Sequence, residues 1–288
     1  MKSMMKRNTF REIKKSFGRY FAILAIVALG VAFFSGLKIT QSVMVHSADV
    51  YLKNLQFYDY RLVSTLGFTE ENVEALAEKE DVRAAEGAIS AEVLYKDAGE
   101  NERVIKMHSI TEKVNKLKLV AGEMPQSADE CVVDSALFSE DAIGSKLVLS
   151  ENNTTDDLDK FAYKEYTITG LVQSPCYIQF ERGNTSIGNG RISGFAYILK
   201  DGFAVDYDTE IYIKFDEDYD IYSDEYDSYM DAKEADWEAY TKEQADIRYE
   251  KIVKDAQDEL DEKKEELEEK RAEAEAELES AKQQLTDG

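Results

Sequence analysis

The chain has 288 residues, a formal net charge of −24 and 33% charged residues. Phosphate contacts need a basic face, so this balance excludes a nucleic-acid-binding protein. The charge is also segregated: Lys2, Lys6, Arg7, Arg11, Lys14, Lys15 and Arg19 stand against one acid, Glu12, at the start of the chain, and the acids crowd the remainder.

Residues 8–19 place Phe10, Ile13 and Phe17 at i, i+3 and i+7, one face of a helix, with Arg11, Lys14 and Lys15 elsewhere on it. A basic amphipathic helix beside an apolar run usually lies along lipid headgroups; the alternative is a specific protein-docking role. The run is residues 20–37, YFAILAIVALGVAFFSGL, without a charge. Eighteen helical residues rise about 27 Å, close to a bilayer's hydrocarbon thickness of roughly 30 Å. Phe17, Gly18 and Ile39 extend the apolar reach. Lys and Arg stay cytoplasmic, which puts the N-terminus inside the cell and the bulk of the chain outside the plasma membrane. A cleaved signal peptide would have a shorter apolar core and a small-x-small site, and the flank GLKIT is a poor one. A buried core helix would carry a basic leader into a protein interior, which is less favourable still. Residues 41–55 lack Gly and Pro and continue the helix.

From Phe57 the pattern changes. Residues 57–65 (FYDYRLVST) read as a strand. Thr69 caps a helix through Glu70 and Glu71, with Val73, Leu76 and Ala77 at helical spacing. Residues 82–95 (VRAAEGAISAEVLY) read as one strand and 103–110 as another. This order implies a small α+β layer with helices on one face of a sheet. Residues 119–122 lead into a turn at Met124-Pro125. Short strands come next at 131–133, 146–149 and 166–172, with NNTTDD as an exposed loop before the last. Residues 193–199 and 210–215 are the final strands. The second alternates, with Ile211, Ile213 and Phe215 on one side and Tyr212 and Lys214 on the other.

Residues 230–284 contain neither Gly nor Pro, and Ala, Glu, Lys, Gln and Leu dominate. That composition is strongly helical. Val253, Leu260, Leu267, Ala274 and Ala281 recur every seven residues, with Leu278 and Leu285 four positions after the last two. The companion core position is polar at Lys263 and Lys264, so the seam is one-sided and resembles one arm of an antiparallel hairpin. Residues 230–288 carry 21 acids and 10 bases, mixed along the helix. One arm cannot bury its own seam, which implies a returning arm and more protein beyond. The fold class is therefore α+β: a single N-terminal transmembrane helix, a mixed α/β extracytoplasmic domain and a long C-terminal coiled-coil-like helical arm. The boundaries are 1–18 leader, 19–40 membrane helix, 41–228 core domain and 229–288 arm.

No catalytic, cofactor or metal site is readable. The glycine-rich 183–188 (GNTSIG) has the spacing of half a phosphate loop, but Asn189 and Gly190 stand where Lys and Ser/Thr are needed. Asp216, Asp218 and Asp220 alternate as in a calcium loop, yet Ile221 replaces the turn glycine and Asp227 the final Glu, so calcium there stays open beside a solvated carboxylate run. Tyr219, Tyr222, Tyr226 and Tyr229 interleave with these acids; they pack the root of the arm or, alternatively, form an aromatic-acidic surface for cationic peptides. Cys131 and Cys176 either pair outside the cell or are two small buried residues. His46 and His108 lack any motif, and His108 in its strand is most simply structural. Sequons begin at Asn152 and Asn153, a frequent pattern.

Several stretches resemble the FtsX-like permease family of ABC transporters, with a MacB-like extracytoplasmic core domain. FREIKKSFGRYFAILAIVALGVAFFSGL looks like that family's first membrane segment with its basic lead-in. GEMPQSADECVVDSALF, IGSKLVL and YTITGLVQSPCYI look like its core-domain series, and ERGNTSIGNGRISGFAYI resembles a loop-strand of a subgroup with long extracellular arms, found mainly in Gram-positive bacteria. The resemblance covers about residues 8–285. It implies a partial chain with further membrane helices to come, a separate cytoplasmic ABC ATPase, a homodimer or pseudo-dimer of permeases, no catalytic residue, no cofactor, and transmission of ATP-driven motion to an outer domain. An extracellular peptide, lipoprotein or cell-wall protein is the implied outer partner. The alternative from another class is a single-pass membrane-anchored adhesion or scaffold protein with a coiled-coil arm.

Overall fold

The computed structural model describes residues 2–97, 99–217 and 219–287, without the side chains of residues 2, 3, 6, 13, 279–281 and 283–287. Asp218 of the aspartate run thus lies outside the described residues, as do the side chains of Lys2, Lys6 and Ile13 of the leader and of Ala281 and Leu285 of the heptad pattern. The chain divides into two compact units: residues up to Asn54 together with Asp220–Tyr222, and Leu55–Tyr219 with the residues from Ser223 onward.

The first unit is helical. Helix α1 (Lys2–Lys15) ends at a turn on Ser16, and α2 (Phe17–Asn54) comes next. The leader is therefore not one helix through residue 19. Ser16 and Gly18, poor helix formers, surround the break, and Phe17 belongs to the long helix instead. The 38 residues of α2 rise about 57 Å, roughly twice the hydrocarbon thickness, so a spanning α2 continues well beyond the bilayer. Its apolar side chains lie bare: Phe21, Ile26, Leu29 and Phe33 are 59–72% exposed. Such a surface is of the kind that lipid or another protein covers, and by length and composition the helix is a candidate membrane span. Only at the far end are Asp49 and Leu52 buried.

The second unit has ten strands: β1 (Tyr60–Phe68), β2 (Val82–Ala88), β3 (Ser90–Lys96), β4 (Glu102–Ser109), β5 (Lys118–Gly122), β6 (Glu130–Asp134), β7 (Lys146–Leu149), β8 (Glu165–Gln173), β9 (Ile192–Ile198) and β10 (Asp208–Phe215). Its helices are α3 (Glu70–Ala77), the single turn α4 (Thr155–Leu158) and the 64-residue α5 (Asp224–Asp287). The α+β class and the long C-terminal helix are as expected.

A small antiparallel sheet has the order β1-β10-β2. The alternation of β10 works as the sequence implies. Ile211, Ile213 and Phe215 join Leu62, Leu76, Val82, Ala85 and Trp237 in one core under α3 and the start of α5. Tyr212, on the opposite face, packs with Ala88 and Val114. At the start of α3, Asn72 Oδ1 accepts the backbone N–H of Thr69 at 3.0 Å.

The larger sheet runs β5-β8-β6-β9-β4-β3-β7, and β7 pairs back to β8. Six strands thus close into a ring around a core of Val93, Ile105, Met107, Cys131, Leu147, Tyr166, Ile168 and Ile198. Closure removes most sheet edges. Residues 82–95 are not one strand. They break at Ile89, whose N–H donates to Ser109 Oγ at 2.9 Å, and β2 and β3 belong to different sheets. A corner between sheets keeps the same alternating pattern and so looks continuous in sequence. The NNTTDD stretch also departs from a plain loop: Thr154 Oγ1 accepts from the Asp157 N–H at 3.2 Å and starts the turn α4. The sequon residue Asn153 spends its amide on β3, accepting from Leu94 N–H at 2.8 Å and donating to Leu94 O at 2.9 Å.

Gly122 and Gly170 face each other across β5 and β8. Gly122 has φ +78°, and a Cβ on Gly170 would meet the carbonyls of Glu123 and Ala121 at 2.7 and 2.8 Å. The two glycines let the strands approach so closely that no side chain fits.

Candidate functional site

Aromatic contacts and a buried ion pair gather at the root of the arm, where α5 meets the small sheet. Trp237, the only tryptophan, is 4% exposed. Its ring lies 5.8 Å from Tyr60, 5.5 Å from Phe215 and 6.2 Å from Tyr240. Lys79 places its ammonium 4.1 Å from the Tyr240 centroid, a cation–π contact that holds the end of α3 to the arm. Phe215 meets Tyr229 edge-on at 5.7 Å, and Tyr219 meets Tyr229 at 5.5 Å.

Asp59 is the clasp of this root. Its carboxylate accepts from Lys214 Nζ at 2.9 Å, from the Phe215 N–H at 2.9 Å and from the Tyr226 hydroxyl at 3.2 Å. One side chain thereby binds the entry to β1, the end of β10 and the first turns of α5. The Asp59 and Lys214 side chains are 5% and 7% exposed. A buried charge persists only when paired and hydrogen-bonded, as both are here. Burial, reinforced by the Asp59 carboxylate, raises the Tyr226 hydroxyl above the usual phenol range. About two turns further on, Lys233 pairs with Asp81. Partial burial pushes the Asp81 carboxyl up, but the Lys233 bond, a backbone hydrogen bond and the charges of Lys233 and Lys79 together outweigh it, and the carboxyl sits below its ordinary value.

In the first unit, a three-residue strap, Asp220–Tyr222, is tied to the end of α2. Lys53 Nζ bonds Asp220 at 2.7 Å and Asp49 at 3.2 Å, and Asp49 Oδ1 accepts the Ile221 N–H at 3.0 Å. The Lys53 bond holds the Asp220 carboxyl below its usual value. By sequence this strap lies between β10 and α5. Two of the links joining the units carry a non-glycine residue in the left-handed region: Gln56 (φ 52°) after α2 and Tyr222 (φ 73°) before α5. For a bulky residue such as tyrosine this is a true outlier, and such strain gathers at functional joints.

Asp59, Trp237, Lys214 and the Asp49–Lys53 pair were not legible as a site in the sequence. The one available signal was a lone tryptophan in an Ala- and Glu-rich helix. Of the four tyrosines in the acidic stretch, Tyr219, Tyr226 and Tyr229 pack at the root, while Tyr222 is 66% exposed. Asp216 lies 3.7 Å from Arg83 and Asp220 holds Lys53, so both described aspartates of the candidate calcium run already face cations. Among the described residues no group of three or more His, Cys, Asp or Glu is arranged to hold a metal.

The two thiols are free, Cys131 fully buried in the ring core and Cys176 half-buried. Burial lifts Cys131 far above the thiol range and Cys176 to about 11. His108 is buried, its Nε2 2.6 Å from the Tyr177 hydroxyl and its ring stacked 5.0 Å from Tyr197. Desolvation lowers its pKa to about 3, so the ring is neutral and structural. In the glycine-rich loop, the Thr185 hydroxyl donates to Glu92 Oε2 at 2.6 Å.

No protein-family model matches the chain, and no curated protein matches its sequence. Among solved structures it is similar to the extracellular domain of the noncanonic ABC-type transporter YknZ from Gram-positive bacteria, at 12% identity and a TM-score of 0.35, over 54% of this chain and 76% of that one. It is likewise similar to the periplasmic region of MacB from Actinobacillus actinomycetemcomitans, at 14% identity and a TM-score of 0.35, over 56% of this chain and 69% of that one. Likenesses at this level do not place the chain in a family.

Proposed function

We propose that this chain is the N-terminal part of an ABC-type permease subunit that couples a cytoplasmic ATPase to an extracytoplasmic domain, for export or for transmission of motion across the membrane. The observation that carries the reading is the fastening of the arm. The strap that precedes α5 is tied to the far end of α2 through Asp49, Lys53 and Asp220, and the residues directly after α2 lead straight to the clasp at Asp59. Movement of a membrane helix would thus reach the arm by two routes. A basic leader before a bare apolar helix supports a plasma-membrane protein with its N-terminus in the cytoplasm, and the sequence resemblance favours a Gram-positive cell and a permease dimer. The chain itself acts as a non-catalytic subunit.

The test is co-purification of the full-length protein with the ABC ATPases of the same cell, in detergent and in lipid nanodiscs. A stable complex whose ATP hydrolysis drops on Asp59→Ala supports the reading. No complex in either medium refutes it and leaves an anchored scaffold.

A further inference from the structure

Strand β1 is the outer strand of the small sheet: it pairs with β10 on one side only. Its register shifts between Val63 and Phe68, around Gly67 at φ +74°, and the bend leaves Val63 59% and Leu66 38% exposed. A strand edge of this kind offers unpaired backbone groups to another extended chain. The arm supplies the other wall. Thr241, Gln244 and Arg248 of α5, with Asn72 of α3, border a groove of about 210 Å³ along β1. Asn72 Nδ2 donates to Gln244 Oε1 at 3.3 Å and fixes that wall.

Arg248 sets the chemistry. Its Nε is buried and has no hydrogen-bond partner, in an arm where Lys233, Lys263, Lys264, Lys270 and Arg271 each hold an acid. A buried guanidinium N–H lacking an acceptor is costly, and its best-matched partner is a carboxylate. The groove is smaller than a small-molecule pocket of roughly 300–1,000 Å³, but it admits an acidic side chain carried on a strand. We propose that this groove receives an extended, acid-bearing peptide segment of an extracytoplasmic partner, which adds to β1 as a further strand and places a carboxylate on Arg248. Backbone pairing supplies the affinity in such a mode and the side-chain pocket the selectivity. The proposal takes from the permease reading only the extracytoplasmic setting of β1, and its test does not involve the ATPase.

The test uses the full chain in nanodiscs and two fluorescent octapeptide pools. Both have threonine at alternate positions and random residues between, with one central residue fixed as Glu in the first pool and Gln in the second. The Glu pool should bind about tenfold tighter by anisotropy, slow hydrogen exchange across Tyr60–Phe68, and lose its advantage on Arg248→Gln. Val63→Lys, a change at an exposed site, should weaken both pools alike. Equal binding of the two pools, an advantage that survives Arg248→Gln, or no binding by either pool up to millimolar overturns the proposal. So does self-association of the chain that Val63→Lys abolishes.

Discussion

Asp59→Ala tests the clasp most directly. The substitution leaves the Lys214 ammonium buried without its 2.9 Å partner, and orphans the Phe215 N–H and the Tyr226 hydroxyl. Removing one member of a buried ion pair costs about 3–5 kcal/mol. In the double variant Asp59→Ala/Lys214→Met the charge is gone and only the two neutral donors remain unmatched, which costs about 1–3 kcal/mol. The double variant should therefore be more stable than the single one by about 2 kcal/mol. Trp237 is the chain's one tryptophan and lies at the root, so its fluorescence reports this region during urea unfolding in detergent micelles, with stability from linear extrapolation. A loss below about 1 kcal/mol for Asp59→Ala, or a double variant no more stable than the single, would show that the carboxylate does not clasp the root.

Three further outcomes are expected. Folded His108 takes up its proton only near pH 3, while an unfolded histidine does so near 6.5, so unfolding binds a proton in between and stability falls with falling pH. Burial is the main cause; Glu210 opposes it, while Lys106 and Arg61 add to it. Between pH 6 and 4.5 the wild type should lose about 2 kcal/mol more than His108→Phe, and parallel pH profiles would show the ring to be protonated in the fold. Gly170→Ala drives a methyl into the Glu123 and Ala121 carbonyls and should cost about 2–3 kcal/mol by the same urea assay; an unchanged midpoint means the strands yield. Asp49→Ala removes the acceptor of the Ile221 N–H, and exchange at that amide should quicken about tenfold or more, with no change expected if the strap is held by other means.

What the sequence disclosed depends on the range of the interactions involved. The bare helix α2, the arm α5 and the alternation of β10 rest on residues within a few turns or pleats, and composition and period reveal them. The break of 82–95 at Ile89 rests on a hydrogen bond to Ser109, and nothing within the run marks it. Ring closure requires β7 to meet β8. The clasp is harder still to read: Asp59 finds its partners 155–167 residues away, and alone it is one aspartate among 59 acids. The resemblance marked GEMP and YTITG without a reason. The reason is the facing pair Gly122 and Gly170, where β5 and β8 come too close for a side chain. The heptad positions that suggested a coiled coil remain an expectation about a partner: Val253, Leu260, Leu267 and Leu278 are 48–67% exposed along the arm.

In the proposed coupling, the position of the strain decides where motion would turn. Gln56 and Tyr222 hold left-handed backbone at two of the links between the units, a conformation that costs about 1–3 kcal/mol for such residues and survives only where neighbours enforce it. The enforcers are visible. Gln56 O accepts the Asn115 N–H at 2.8 Å, and Ile221, next to Tyr222, is tied to Asp49 at 3.0 Å. Each strained residue thus stands next to or within an anchored point. A displacement of α2 would load residues 55–59 and the strap together. In that proposal both loads would meet at Asp59, which holds the Tyr226 hydroxyl of the arm and the Lys214 ammonium of the sheet in one carboxylate. A lever needs a fulcrum that resists both directions of pull. A buried, doubly anchored carboxylate meets that requirement, whereas the exposed ion pairs farther along α5 are each weak and screened by salt. In the proposed coupling, the pivot would lie at Asp59 and Tyr226 rather than farther along the arm.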